Sequence, residues 1–85
     1  MKTVTLNGTK YNIMLSGPVD GFTDDPRSTG YSLVVCRDLA TRAGLETVIH
    51  EASHVLYPGM SEERIEQSTR DLARLLWGLG YRHTP

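Results

Sequence analysis

The sequence has 85 residues, 39% of them hydrophobic, and a formal net charge of −1, which is typical of one small globular domain. This charge gives no electrostatic reason to expect a nucleic acid or a membrane as a partner, and no apolar run reaches membrane-spanning length. Cys36 is the one cysteine, and the first residues lack the apolar region of a signal peptide. We therefore expect a single domain over residues 1–85, located in the cytoplasm.

The first two predicted elements are β-strands near residues 2–6 and 9–15. Apolar and polar residues alternate in both segments, which is the pattern of strands with one buried face. Asn7-Gly8 lies between them and is the strongest short signal for a hairpin, because both central positions of a type I′ turn need positive φ. The sequence therefore predicts an N-terminal β-hairpin.

A long polar segment follows the hairpin, from Ser16 to Gly30, with three glycines, two prolines and three aspartates. We predict a loop here. The aspartates lack the ligand spacing and closing glutamate of a calcium-binding loop, so solvated turns are the favoured interpretation. The next segment, YSLVVCRDL from Tyr31, is rich in β-branched and apolar residues and predicts a third strand.

The hydrophobic spacing changes to a helical period after the third strand. Four residues recur on one face and predict a helix from about Thr41 to Leu56: Leu45, Val48, Ala52 and Val55. A second helix follows the break at Tyr57-Pro58-Gly59. Ser61 is its predicted N-cap, and its end lies near Gly78. Its expected buried stripe is Ile65, Leu72 and Leu76 with Thr69 or Ala73.

This order of elements indicates an α+β fold. We expect a small three-stranded sheet, made of the N-terminal hairpin plus an edge strand, packed on the first helix and on the helix that follows it.

The first helix contains His50-Glu51-Ala52-Ser53-His54, which has the form H-E-x-x-H. Residues four apart project from the same face of a helix, so the imidazoles of His50 and His54 can reach a single metal ion. Glu51 lies about 100° around the helix from His50, where it can hold a water molecule as a general base. This geometry indicates a Zn²⁺ site with two histidine ligands and Glu51 as the catalytic residue. The alternative is an ordinary helix with two polar histidines and no metal.

A zinc ion needs at least one more protein ligand. The side chains considered for this position are Cys36, Glu62, Glu63, Glu66, Asp71 and His83. Helical phasing places Glu63 on the polar face and Glu66 beside the buried stripe. If the helices fold back on each other, Glu66 comes level with His54, whereas Glu62 lies too near the turn to serve both histidines. We therefore expect Glu66 as the third ligand, with Glu62 as the alternative.

The segment from about Glu46 to Arg82 resembles the small HExxH proteins that are common in bacteriophage and bacterial genomes. These are similar to minimal gluzincins, which are zinc peptidases reduced to an active-site helix, a short sheet and a glutamate helix. The pattern EQSTRDLA at 66–73 is similar to the E-x-x-A-x-x-F-A glutamate helix of small zincins that cleave bacterial repressors. The resemblance implies zinc held by His50, His54 and Glu66, and catalysis by Glu51.

These observations predict a zinc metallopeptidase whose partner is a peptide or protein substrate. The resemblance implies that the strand from Tyr31 to Arg37 forms a rim where an extended peptide adds as a further strand. It also suggests a phage-encoded protein that acts in a bacterial host. The side chains considered for stabilising the oxyanion are Tyr57, Tyr81 and His83. The alternative function is a zinc-stabilised, catalytically silent module that binds a protein, with Cys36 or His83 closing the zinc site.

Overall fold

The computed structural model describes residues 3–16, 31–36 and 38–84, with the backbone alone at Ser16 and Cys36. The elements in chain order are β1 (Thr3–Leu6), β2 (Thr9–Ser16), β3 (Tyr31–Cys36), α1 (Arg42–Leu56) and α2 (Glu62–Gly78). This is the predicted α+β fold, a three-stranded mixed sheet with two helices. The predicted loop between β2 and β3, with its three aspartates, lies outside the described residues. Neither of the two described helices is long and apolar enough to cross a membrane.

The β1–β2 hairpin forms as predicted. The two strands pair in an antiparallel register that brings Leu6 opposite Thr9. Asn7 has a φ of 50° and Gly8 has a φ of 77°, which are the positive values that this tight turn demands. The turn also contacts a helix, because the Asn7 side-chain amide donates to the carbonyl oxygens of Val55 and Leu56 at the end of α1.

The third strand extends the sheet in the order β1-β2-β3 and runs parallel to β2. Tyr11 pairs with Tyr31 at the start of this ladder, and their ring centroids are 5.5 Å apart. Leu33 and Val35 point to the same face of β3, as alternate residues of a strand do, and both are buried. This face of β3 forms the part of the core that lies against α1.

The first helix lies between the sheet and the second helix. Among the described elements, α1 packs against β1, β3 and α2, whereas α2 packs against α1. The expected stripe of apolar residues on α1 is therefore only half-buried along its length, and the buried positions are Gly44 and Ser53. Gly44 is buried against the segment that precedes α1, since a Cβ atom there would meet the backbone of Asp38 and Leu39.

The second helix begins and ends where the sequence predicts, with Ser61 as its N-cap. Its buried row is Ile65, Thr69 and Ala73, which recur every four residues and face α1. Leu76 is half-buried, but the expected burial of Leu72 is wrong, since 45% of its surface is exposed. Leu72 lies about 100° around the helix from Ala73, which turns it away from α1.

Candidate metal centre

The histidines of the H-E-x-x-H motif face each other on α1. Their Nε2 atoms are 3.0 Å apart, and their ring centroids are separated by 4.8 Å. Both side chains are partly buried, with 28% of the His50 side chain and 40% of the His54 side chain exposed. Two ring nitrogens of the same kind are thus directed at a common point, as the spacing of four residues predicted.

A carboxylate from α2 completes this group. Glu62 Oε1 lies 3.0 Å from His50 Nε2, and Glu62 Oε2 lies 3.1 Å from His54 Nε2. Glu62 is the first residue of α2, directly after the N-cap Ser61. The positive end of the helix dipole therefore favours its negative charge.

Among the described residues, three potential ligands lie close enough to hold one metal ion: His50, His54 and Glu62. Ligand atoms at about 2.0–2.1 Å from a tetrahedral zinc ion are roughly 3.4 Å apart. The two Nε2 atoms are 3.0 Å apart and need only a small outward movement to reach this value, whereas each contacts a different oxygen of Glu62. With one ligand atom taken from each residue, the three atoms lie within 4.8 Å of one another. The donor set of two imidazoles and one carboxylate also matches that of catalytic zinc sites.

The expected position of Glu62, too near the turn to reach both histidines, is wrong. Residues 57–61 connect the two helices as the sequence predicts, but their path brings the start of α2, and not its second turn, beside the histidines. Glu66, which we expected as the third ligand, is not in the group that the structure brings together.

The remaining ligand candidates are also outside this group. Glu63 is exposed, and Asp71 accepts hydrogen bonds of 3.1 and 3.2 Å from the Gln67 side-chain amide. His83 lines a separate apolar cavity beside Trp77. The side chain of Cys36 lies outside the part of the chain that the structure describes.

A groove of about 500 Å³ opens between α1 and α2 next to the metal cluster, which we define as His50, His54 and Glu62. His50 belongs both to the cluster and to the wall of the groove. The wall also contains four charged side chains and the buried Thr69; the charged residues are Glu46, Glu51, Glu66 and Arg70. Glu51, the predicted catalytic residue, and Glu66 therefore both lie at the groove. A ligand in the groove would contact Glu51 and would approach the cluster from the side of His50.

Two residues of this groove could have been found from the sequence. Glu46 precedes His50 by four residues, so it projects from the same face of α1 as both histidines. Arg70 follows Glu66 by four residues and shares a face of α2 with it in the same way. The spacing gives the shared face, but only the packing of α1 on α2 shows that both faces line one groove.

No family model, no curated protein and no solved structure matches this chain. The relationship to gluzincins therefore remains a prediction from the motif and its surroundings.

Proposed function

We propose that the protein is a zinc-dependent metallopeptidase that hydrolyses peptide bonds. The observation that carries the proposal is that the Nε2 atoms of His50 and His54 lie 3.0 Å apart and each lies 3.0–3.1 Å from one oxygen of Glu62. His50 also lines the groove between the two helices. Three protein ligands are the usual number for a catalytic zinc ion, since the fourth position is kept for water or substrate.

Glu51 supplies the acid–base chemistry in this proposal. It follows the ligand His50 directly in the sequence and lines the groove. Zinc, when bound, polarises a carbonyl group and lowers the pKa of a water molecule. The Glu51 carboxylate accepts a proton from the attacking water and donates it to the leaving amine.

A zinc-stabilised binding module without turnover is the second candidate. The observation that favours it is the position of the tyrosines considered for stabilising the oxyanion. Tyr57 and Tyr81 are 53% and 63% exposed, and His50 is the one aromatic or imidazole side chain among the residues that line the groove. In this alternative, zinc joins α1 to α2 and the groove binds a peptide without cleaving it.

The test compares three proteins, each loaded with zinc: the wild type, Glu51→Gln and Glu63→Gln. A diverse peptide mixture is incubated with each protein, and new termini are identified by mass spectrometry. We expect cleavage by the wild type and by Glu63→Gln, whose changed residue is exposed and does not line the groove. Glu51→Gln should bind zinc as tightly as the wild type and show no turnover. Full activity of Glu51→Gln, or a wild type that binds no zinc, would contradict the proposal.

A further inference from the structure

We propose that the groove beside the metal cluster binds a lysine or arginine side chain of the peptide, so that the protein selects peptides with a basic residue next to the cleaved bond. The choice of a peptide bond rests on the proposed function. The preference for a basic side chain comes from the groove itself.

The charge of the groove is the first observation. Three glutamates line it, Glu46, Glu51 and Glu66, whereas Arg70 is the single cation among its lining residues. The Arg70 guanidinium donates a hydrogen bond of 3.2 Å to the side-chain oxygen of Gln67, and Gln67 does not line the groove. Glu46 is paired with Arg42, but the two groups are 3.6 Å apart and both are partly exposed, so the pair is weak. Acid therefore exceeds base in the groove, which favours a cationic ligand.

The second observation is independent of charge. Thr69 lines the same groove and is only 5% exposed, and its Oγ1 has no hydrogen-bond partner among the described residues. A threonine on a helix commonly donates to a carbonyl of the preceding turn, and this one does not. A buried hydroxyl without a partner is uncommon in a folded protein, and a donor group of a ligand bound in the groove would satisfy it. An ammonium group has three donors, which the Thr69 hydroxyl and the carboxylates of Glu46 and Glu66 can accept.

The distance from the metal cluster fits a side chain next to the cleaved bond. Glu46 precedes His50 by one helical turn, which is about 6 Å along the axis of α1. A lysine or arginine whose backbone lies near His50 spans this length with its flexible stem and places its charge between Glu46 and Glu66. A shorter or apolar side chain leaves the Thr69 hydroxyl without a partner.

The test measures binding separately from cleavage, with zinc-loaded Glu51→Gln as the protein. The probes are alanine-serine hexapeptides with blocked ends that carry one lysine, one norleucine or one glutamate, scanned through the six positions. We expect the best lysine peptide to bind about fivefold more tightly than its norleucine equivalent, the upper end for a pair of partly exposed charges. Adding Glu66→Gln should reduce this preference, whereas adding Glu63→Gln, the same change on the exposed face of α2, should not.

The Thr69→Val variant tests whether the Thr69 hydroxyl binds the ligand or only supports the fold. It keeps the shape of the side chain and removes the hydroxyl, so we expect weaker binding of the lysine peptide with no loss of thermal stability. Equal binding of the three peptide types, or no binding, overturns the inference even if the wild type cleaves peptides. A lysine preference without any turnover of the wild type supports the inference and contradicts the proposed peptidase activity.

Discussion

Glu62 Oε1 lies 3.0 Å from Nε2 of His50, although the two residues belong to different helices. This contact makes Glu62 the carboxylate that joins α2 to the histidines of α1. We expect Glu62→Gln to weaken zinc binding by at least about 100-fold, because loss of a supporting partner alone costs 10–100-fold. The measurement is competition with a chromophoric chelator at fixed pH.

Glu66→Gln and Glu63→Gln are the matched controls, since each removes the same charge from the same helix. We expect both to bind zinc within a few-fold of the wild type, because neither side chain belongs to the metal cluster. If Glu66→Gln instead loses as much affinity as Glu62→Gln, the carboxylates exchange places on binding and the resemblance identified the ligand correctly.

Zinc should stabilise the fold, because its proposed ligands come from both helices. A ligand that binds only the native state at 100 times its Kd adds about 2.7 kcal/mol to the free energy of unfolding. For a domain of this size, that change corresponds to a rise in Tm of roughly 10–20 °C. Differential scanning calorimetry with zinc and with a chelator measures it. His54→Ala should show no zinc-dependent rise, and an unchanged Tm of the wild type would show that no metal binds.

The elements of this fold could be predicted from local sequence rules. Asn7-Gly8 has the positive φ values of its turn, and Ser61 caps α2 through its hydroxyl. The spacing of four residues between His50 and His54 was also sufficient to place their ring nitrogens together. Each of these features depends on residues that are close in sequence, so no knowledge of the packing was needed.

The third member of the metal cluster depends on the packing of two helices and could not be predicted in the same way. Glu62 and Glu66 lie one helical turn apart on α2, so helical period alone does not separate them. The path of residues 57–61 sets the position of α2 along α1, and this position decides which of the two glutamates lies beside the histidines. The exposure of Leu72 also depends on the packing, because the row of α2 that contacts α1 is Ile65, Thr69 and Ala73.

Gly44 marks a close contact between α1 and the segment that precedes it. A Cβ atom at Gly44 would collide with the backbone carbonyl of Asp38, which also accepts hydrogen bonds from Thr41 N and Oγ1 at 3.1 and 2.7 Å. We expect Gly44→Ala to destabilise the protein by about 1–3 kcal/mol in urea denaturation, although alanine is the better helix former.

Gly78→Ala is the control for this prediction. Gly78 is the last residue of α2, and nothing lies within 4 Å of a Cβ placed there. Alanine should therefore leave the stability unchanged or raise it by a few tenths of a kcal/mol, through helix propensity alone. Equal effects of the two substitutions would show that the chain before α1 moves away from Gly44 without cost.

Asn7 connects the hairpin turn to the end of α1 that carries His54. Its Nδ2 donates to the carbonyl oxygens of Val55 and Leu56 at 3.2 and 3.1 Å, and the last carbonyls of a helix have no partner within the helix. Asn7→Asp keeps a residue that tolerates positive φ, removes both donors and adds a negative charge at the negative end of the helix dipole. We expect a loss of about 1–2 kcal/mol in the free energy of unfolding, measured by urea denaturation without zinc.

Asn7→Gly separates the loss of the hydrogen bonds from the effect of the added charge, because glycine adopts the turn as easily and carries no charge. We expect it to lose only about 1 kcal/mol, since the two hydrogen bonds to the helix end are exposed and each has a net value of about 0.5 kcal/mol. High salt should bring Asn7→Asp closer to Asn7→Gly, since salt screens the added charge. If Asn7→Asp is as stable as the wild type at low salt, the hairpin turn does not hold the end of α1, and the position of His54 depends on the contacts of α1 with β3 and α2 alone.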